Sequence, residues 1–213
     1  MTEPDDSSLL AAWRQGDRVA GSALFRRHFT ALYRFFATKV GDAQASDLAQ
    51  STFLAAVEAR DRLRPDTHVR AYLFGIARRQ LLMLLRTRGR RGTADPLLES
   101  CADAMLPSPS TIIAHGQQEA LAVRALRRIP LDLQMLIELH YWEGLPTDRL
   151  AEIFEVPRGT IKSRLSRARQ EARLALERLI DDPQLRQSSV RDFERWVGRL
   201  RDAVPDAPDE PAR

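Results

Sequence analysis

Cysteine is almost absent from this chain, in which Cys101 is the only one among 213 residues. A single cysteine excludes an internal disulfide and a zinc site built from thiolates, so a reducing compartment is the natural interpretation. The four histidines are scattered and lack the spacing of metal ligands: His28, His68, His115 and His140. We therefore expect neither a metal site nor a bound cofactor.

Long apolar runs and glycine-rich phosphate loops are missing as well. Apolar runs stay short, as in LLMLL at 81–85, and none approaches the length that crosses a bilayer. The beginning of the sequence, MTEPDDSSLL, is acidic and lacks the basic-then-apolar order of a signal peptide. No constellation of side chains suggests catalysis. These absences predict a cytoplasmic protein that does not insert into membranes and is not an enzyme.

Aromatic residues make up only 7% of the chain, and Leu, Ala, Arg and Glu dominate, which predicts an all-α fold. Four amphipathic patterns fill the first ninety residues. Their predicted starts are Ser7 or Ser8, Asp17, Asp42 or Ser46, and Thr67, and the first two are expected to end near Gly16 and Gly41. In the third helix the predicted apolar face holds Leu48, Phe53, Leu54 and Val57.

The charge distribution divides the chain. Residues 60–91 hold ten arginines against two aspartates, whereas 92–123 hold four acids and no basic residue. Because 92–110 also lose the helical period and contain three prolines, we expect a flexible linker there. The sequence thus predicts two small helical domains, at 8–91 and 111–180. A C-terminal extension at 181–213 is expected to hold one amphipathic helix and a disordered end.

The second domain ends in a helix-turn-helix pattern. Thr147 is predicted to cap the first helix, TDRLAEIFE, and Val156 and Pro157 to form the turn before the basic helix. At 100° per residue, the basic helix has an apolar face made of Ile161, Leu165, Ala168, Ala172 and Leu176. Its opposite face is basic and polar. Glu155 occupies the turn position where many such motifs place glycine, and a positive φ there would cost on the order of 1 kcal/mol.

The basic residues of this helix have an ordinary alternative explanation, because many amphipathic helices simply have a charged, solvated face. Here the first turn mixes basic with short polar groups, and no acid occurs in the first three turns. That composition favours a helix that enters the DNA major groove, where its N-terminal residues meet base edges. Arg164 and Arg178 are expected to be ordinary surface residues.

The segment LRRIPLDLQMLIELHYWEGLPTDRLAEIFEVPRGTIKSRLSRARQEAR closely resembles the fourth domain of bacterial RNA polymerase sigma factors of the extracytoplasmic-function (ECF) group, in the sigma-70 family. Upstream, ASDLAQSTFLAAV and VRAYLFGIARRQLLMLLRTRGRR resemble the second domain of the same group. The resemblance covers about residues 8–180. It implies a sigma factor that binds core RNA polymerase and promoter DNA, with an anti-sigma protein as a further candidate partner.

The resemblance also implies roles for individual positions. The residues that match the polymerase-binding helix are Asp47, Gln50, Phe53 and Leu54. The basic helix matches the part that contacts the minus-35 element, with candidate residues Arg158, Thr160, Lys162, Ser163, Ser166, Arg167 and Arg173. The helix at 69–91 matches the part that faces the melted minus-10 strand, with candidates Tyr72, Arg78, Arg79 and Arg86. Phe74 is a further candidate for stacking on a base.

One departure from the family pattern concerns minus-10 recognition. The family commonly has Asn directly after IAR and a short polar residue four positions later, whereas this chain has Arg79 and Met83. Base selection is then expected to depend more on the loop ARDRLRPDTH at 59–68. Two alternatives stay open: a helix-turn-helix regulator that acts without polymerase, and a sigma-like adaptor whose minus-10 pocket is degenerate.

Overall fold

The computed structural model of this chain describes residues 4–88, here called the N-terminal unit, and residues 123–180, called the C-terminal unit. The predicted linker at 92–110 and the extension at 181–213 lie outside the described residues, as does most of the first predicted helix after the linker. The structure therefore bears on the two helical domains and on how they pack, while the boundaries of the linker stay a prediction.

The N-terminal unit contains the four predicted helices and one 3₁₀ turn: α1 (Asp6–Arg14), α2 (Arg18–Ala37), α3 (Asp42–Glu58), the turn Arg60–Arg62, and α4 (Val69–Arg88). Asp17 caps α2 as predicted, since its carboxylate accepts from the backbone N–H groups of Val19 and Ala20. The predicted end of α2 near Gly41 needs correction, because helix α2 ends at Ala37. Helix α3 begins at Asp42, one of its two predicted starts, and Gly41 precedes it.

Two other predicted N-caps were wrong, because a neighbouring side chain accepts the hydrogen bond from the first turn of the helix instead. The cap of α1 is Asp5 and not Ser7 or Ser8, and its carboxylate accepts from the N–H of Ser8 at 2.8 Å. At the start of α4, His68 takes the place of Thr67. The N–H of Ala71 donates to His68 Nδ1 over 3.2 Å. The imidazole of His68, and not the hydroxyl of Thr67, therefore caps the start of α4.

Helices α1 and α2 are held together at close range. A Cβ added to Gly21 would lie 2.6 Å from the indole of Trp13, so this close approach requires glycine. Asp6 lies 2.7 Å from His28 Nε2 and accepts from Arg27 Nη1 at 2.8 Å. The hydrogen bond to His28, with a further contribution from Arg27, lowers the pKa of Asp6 to about 2.

The predicted apolar face of α3 is confirmed for Phe53 and Leu48, which lie in or against the core, and was wrong for Leu54 and Val57. The buried residues of this helix are Ala45, Ala49, Thr52, Phe53 and Ala56. Leu54 and Val57 are 61% and 50% exposed. Small alanines let α3 approach its neighbours closely, and Phe53 supplies the bulk, with its ring 4.6 Å from that of Phe25. Leu54 and Val57 are left on the outside, whereas Leu48 is partly buried against the core.

The C-terminal unit begins with a helical segment at 123–127 and continues with α5 (Leu131–Ile137), a π-helical turn (Glu138–Trp142), α6 (Thr147–Phe154) and α7 (Arg158–Glu177). Gly144 follows the π turn with φ +64°, a conformation that glycine adopts readily at the end of a helix. Thr147 does not cap α6, because it is the first residue of the helix and Pro146 precedes it.

Helices α6 and α7 form the predicted helix-turn-helix. Glu155 has φ 56° and ψ 42°, which is the left-handed conformation anticipated for this position. The predicted apolar face of α7 is confirmed, since all five of its residues are buried. This face packs on α5 and α6, so the polar face of α7 points away from the protein.

The two units do not sit apart: α4 packs against α6. One continuous apolar cluster includes Leu73, Phe74 and Leu81 of α4 together with residues of the C-terminal unit, among them Leu150 and Phe154. Among the described helices, none has the length and apolarity of a membrane span. The described residues also contain no group of three potential metal ligands.

Candidate nucleic-acid and polymerase-binding surfaces

The outward face of α7 is open to solvent. Lys162, Ser163, Ser166 and Arg167 are all exposed and recur at one-, three- and four-residue steps, so they lie together on one side of the helix. Arg167 Nε is 3.7 Å from Glu171 Oε1, and the arginine side chain remains 67% exposed. A surface ion pair of this kind contributes little and is easily exchanged for another partner.

The remaining minus-35 candidates flank this face. Arg158 is exposed and lies at the start of α7, with its Nε 2.8 Å from Asp148 Oδ1. Thr160 and Arg173 are half-buried. Beyond Ser166, a shallow groove of about 600 Å³ runs along the C-terminal part of α7, with Arg169, Gln170, Arg173, Leu174 and Glu177 in its lining. The structure thus brings this set onto one continuous side of α7.

Two other basic residues of α7 fix the helix to the protein. Arg164 is half-buried, and its Nη1 donates to Asp132 Oδ2 of α5 at 2.8 Å, so the prediction of an ordinary surface residue was wrong. Arg169 Nη1 donates to the hydroxyl of Tyr141 in the π turn at 3.3 Å. These bonds set the direction in which the outward face points.

The minus-10 candidates on α4 are in a different situation. Arg78 has a side chain only 11% exposed, with its Nη2 3.6 Å from Asp132 Oδ1. Its guanidinium carbon lies 4.9 Å from the centre of the Phe154 ring, which is a cation–π contact. Arg79 Nη1 is 3.9 Å from Glu155 Oε1, and Arg86 is exposed. Two of the three predicted arginines therefore face acids of the C-terminal unit.

A cleft of about 370 Å³ lies beside these arginines. Helix α4 contributes Tyr72, Gly75 and Arg79 to its lining, the preceding loop contributes residues between Arg62 and His68, and α6 closes one side with Arg149, Glu152 and Ile153. Tyr72 is half-buried there. Phe74 is 1% exposed and packs against Phe35, so it does not face a DNA base. Met83 is 64% exposed and is not part of the lining.

The polymerase-binding candidates on α3 separate into two groups. Asp47, Gln50 and Leu54 are exposed at steps of three and four residues and share one face. Phe53 is 8% exposed and belongs to the core, so its assignment as a contact residue needs correction. Val57, which the sequence had placed in the core, is exposed three residues beyond Leu54 and extends the same face.

Buried charges were missed by sequence reasoning. Lys39 and Glu138 are 0% and 1% exposed, and they form an ion pair between the two units. Glu143 is 3% exposed and pairs with Arg70 of α4. The available signal was a charged residue inside an apolar pattern, since Lys39 ends YRFFATK and Glu138 interrupts LIELHYW. Such residues are rarely buried unless they are paired.

Comparison with known families agrees with this arrangement of an α-helical unit, a basic helix and a helix-turn-helix. The model for Sigma-70 region 2 matches residues 24–91, and the model for Sigma-70, region 4 matches residues 120–171. Together the two matches cover more than half of the chain. The match at 24–91 includes α4 and the exposed face of α3, so it accounts for features that a regulator acting without polymerase would not need.

Similar proteins cover nearly the same extent. The RNA polymerase sigma-H factor of Pseudomonas aeruginosa is 28% identical over 84% of this chain and 98% of its own length. The ECF RNA polymerase sigma-E factor of Haemophilus influenzae is 25% identical over 78% of this chain and 92% of that relative. A co-crystal of the sigma factor RpoE with the anti-sigma factor NepR from Bartonella quintana has a TM-score of 0.56 at 25% identity, covering 72% of this chain and 93% of RpoE.

These findings define a transcription initiation factor of two helical parts. The chain belongs to the sigma-70 family, in its ECF group, and it directs promoter-specific transcription initiation by RNA polymerase. Sigma factors of this kind are not enzymes. Neither the independent regulator nor the degenerate adaptor is favoured by these matches.

Proposed function

We propose that this sigma factor recognises the minus-35 element of its promoters with the outward face of α7. The observation that supports this proposal is the group Lys162, Ser163, Ser166 and Arg167, which is exposed on one side of a helix anchored from behind. Arginine and lysine suit the O6 and N7 acceptors of guanine, and serine hydroxyls accept or donate at several bases. Arg158 and Arg173, at either end, are positioned for phosphates, and Thr160 lies in the first turn.

We assign recognition of the minus-10 element to α4 and the loop before it. Arg78, Arg79 and Arg86 would hold phosphates of the melted strand, and Tyr72 would stack on a base in the cleft. Since Arg79 and Met83 replace the polar pair common in the family, base selection depends on the loop residues that line the cleft, such as Arg62, Arg64 and His68. Met83 lies outside the cleft and contributes nothing to selection.

We assign the binding of core RNA polymerase to the exposed face of α3. Leu54 is an aliphatic side chain with 61% exposure, and it lies beside the acid Asp47 and the amide Gln50. Such a combination is typical of a surface that is covered in a complex. Phe53 supports that face from beneath through its contact with Phe25. An anti-sigma protein is a further partner, by analogy with the complex of RpoE and NepR.

The division of the chain follows from these assignments. Residues 8–91 form the polymerase- and minus-10-binding domain, 92–110 the linker, 111–180 the minus-35-binding domain, and 181–213 an extension. The protein acts in the cytoplasm, because core polymerase and promoter DNA are found there. It has no catalytic activity of its own and needs no cofactor, and the chemistry of transcription belongs to the polymerase.

Exchange of Arg167 for alanine tests the minus-35 assignment. If Arg167 makes a bidentate contact to guanine, Arg167→Ala loses about 1–3 kcal/mol of discrimination at one base pair, roughly 5- to 150-fold. The measurement is transcription by the holoenzyme from a matched promoter and from promoters with single changes in the minus-35 element. Arg178→Ala, an exposed arginine at the end of the same helix, is the matched control. Equal behaviour of both variants on every promoter would contradict the assignment.

A further inference from the structure

Two arginines of α7 lie on opposite flanks of its buried face. That face is centred near Ala172. At 100° per residue, Arg164 lies roughly 80° from this centre on one side, and Arg169 lies roughly 60° from it on the other. The side chains that we assign to the minus-35 bases project from the side opposite the buried face. Both arginines are half-buried, so neither belongs to the outward face.

On the first flank, Arg164 is bonded to α5. Its Nη1 donates to Asp132 Oδ2 at 2.8 Å, and the side chain of Asp132 is only 14% exposed. A hydrogen bond between a guanidinium and a carboxylate is strong and depends on direction, and partial burial protects this one from screening by salt. A rotation of α7 about its own axis that carries Arg164 away from α5 is therefore opposed.

On the second flank, Arg169 is bonded to the π turn. Its Nη1 donates to the hydroxyl of Tyr141 at 3.3 Å. Tyr141 packs on an apolar cluster of the C-terminal unit and lies edge to face with His140, with 4.9 Å between the ring centres. His140 is fixed in turn, because its Nδ1 donates to the carbonyl of Leu145 at 3.0 Å. The bond to Tyr141 therefore opposes rotation of α7 in the other sense.

The apolar contacts of α7 define its rotation poorly beyond the first half of the helix. Between Leu165 and Leu176, the buried residues are the alanines Ala168, Ala172 and Ala175. An alanine presents only a methyl group, so the ridges that would interlock with a neighbouring helix are low there. A polar bond on each flank supplies the constraint that these small side chains do not.

The rotation of α7 matters because recognition of bases is sensitive to small displacements. The outer ends of the side chains lie about 6 Å from the helix axis, so a rotation of about 20° moves them by about 2 Å. A hydrogen bond to a base edge is about 3 Å long and is lost after such a displacement. Attraction between an exposed cation and a phosphate depends less on direction. Loss of the flanking bonds should therefore reduce base discrimination more than overall affinity.

We propose that Arg164 and Arg169 are positioning residues for minus-35 recognition. They do not touch DNA, and their bonds to Asp132 and Tyr141 fix the rotation of α7, which determines the side chains that meet base edges. This inference rests on the proposed role of the outward face of α7. It divides the basic residues of one helix into those that contact the promoter and those that orient the contacts.

Tyr141→Phe and Arg164→Met are the test variants. Tyr141→Phe removes the hydroxyl that accepts from Arg169 and changes no charge. Arg164→Met keeps an unbranched side chain and removes the guanidinium. Asp132 is left unchanged, because its Oδ1 also lies 3.6 Å from Arg78 Nη2. Urea unfolding establishes a temperature at which every variant is fully folded, and the DNA measurements are made there.

The holoenzyme with each variant is titrated with a promoter duplex that it transcribes, with duplexes changed at single minus-35 base pairs, and with a scrambled duplex. We expect both variants to lower discrimination about fivefold at two or more base pairs, because several outward side chains move together. Affinity for the scrambled duplex should stay unchanged. Tyr141→Phe combined with Arg169→Met should lose no more discrimination than Arg169→Met alone, because both changes remove the same bond.

A salt series separates positioning from contact with DNA. Arg178→Ala is the control for loss of one positive charge, since Arg178 is an exposed arginine at the end of the same helix. Arg164→Met should have the salt dependence of Arg178→Ala. A salt dependence lower by about one unit would make Arg164 a phosphate contact, and a loss confined to one base pair would make it a base contact. Either result overturns the inference.

The inference is also overturned if Tyr141→Phe and Arg164→Met keep the discrimination of the wild type while Arg167→Ala loses it. That outcome leaves the minus-35 assignment intact, because the outward face would then read bases without the flanking bonds. If Arg167→Ala keeps full discrimination as well, the minus-35 assignment fails, and the positioning role fails with it. The two failures are therefore distinguished by the behaviour of Arg167→Ala.

Discussion

The two basic helices of this protein, α4 and α7, differ in what lies over their arginines. On α7, the nearest acid to Arg167 is Glu171 on the same helix, and the arginine remains 67% exposed. On α4, Arg78 is covered by Asp132 and Phe154 of the other unit and is only 11% exposed. The face proposed to read the minus-35 element is open, whereas on the helix proposed to face the minus-10 strand Arg78 is covered and Arg79 remains 61% exposed.

This difference shows that a row of basic residues defines a potential DNA-binding surface but not its availability. The electrostatic attraction of α4 for a phosphate and for Asp132 has the same origin, so tertiary packing decides which partner is present. The opposite signs of the two contacting surfaces make such an intramolecular cover possible. Predictions that alter one face and leave the other unchanged test this view.

The largest effect is expected from the buried side of α7. Leu165→Ala should lower the free energy of unfolding by about 2–5 kcal/mol, because Leu165 is 5% exposed in the core. Its outward neighbour Ser166→Ala should change stability by less than about 0.5 kcal/mol. Urea unfolding of both variants gives the comparison. Similar losses for the two would show that the inward and outward faces of α7 are wrongly assigned.

The next largest effect is expected on polymerase binding, from a substitution on α3 that leaves both basic helices unchanged. Leu54→Asp should weaken the complex with core polymerase by about 2 kcal/mol, roughly thirtyfold, if Leu54 is a central contact. Val19→Asp is the control, because Val19 is an aliphatic residue of α2 that is 73% exposed and is not among the residues assigned to polymerase binding. A titration with labelled core polymerase separates them. A loss of affinity with Val19→Asp and none with Leu54→Asp would move the polymerase surface off α3.

An ion pair inside the N-terminal unit offers a comparison with those between the units. Asp6→Asn should cost about 1–2 kcal/mol of stability at pH 7, because the contacts with His28 and Arg27 lower the pKa of Asp6 from 3.8 to about 2. A lowered folded-state pKa means that this contribution is complete above pH 3.8 and is lost as the pH falls through about 2. Unfolding at several pH values measures the difference, and a gap between wild type and variant that persisted at pH 2 would contradict it.

The smallest effect is expected at Arg86, the exposed arginine of α4. Arg86→Ala should weaken holoenzyme binding equally for all promoters and reduce the salt dependence of binding by about one unit, because one phosphate contact is lost. Binding is measured across a salt series on matched and scrambled promoters. A change confined to one promoter sequence would instead make Arg86 a base contact.

Local periodicity was enough to predict α7, since the apolar residues of that helix follow a regular helical spacing and pack against adjacent elements. The same reasoning succeeded only in part for α3, where Phe53 is buried as predicted but alanines form the rest of the core and Leu54 and Val57 lie outside. Hydrophobicity alone could not show that helices pack closely there. The caps at Asp5 and His68 depended on side-chain geometry that the sequence does not specify.

The covered state of α4 could not be predicted from sequence because it joins residues far apart in the chain. Lys39 and Glu138 are separated by 99 positions, and each by itself only interrupts an apolar pattern. The π turn that aligns Glu138 with Glu143 has no sequence signal comparable to a glycine or a capping residue. The family resemblance predicted which helices would contact DNA, while the contacts between the units became visible only in the structure.

The most direct test compares the two proposed DNA-binding faces of one chain with and without polymerase. The probes are a duplex that carries the minus-35 element and the single-stranded non-template minus-10 segment, both from a promoter transcribed by the holoenzyme. We expect the free chain to bind the minus-35 duplex and to bind the minus-10 strand at least about tenfold more weakly than the holoenzyme does. Equal affinity of the free chain and the holoenzyme for the minus-10 strand would contradict the covered state of α4.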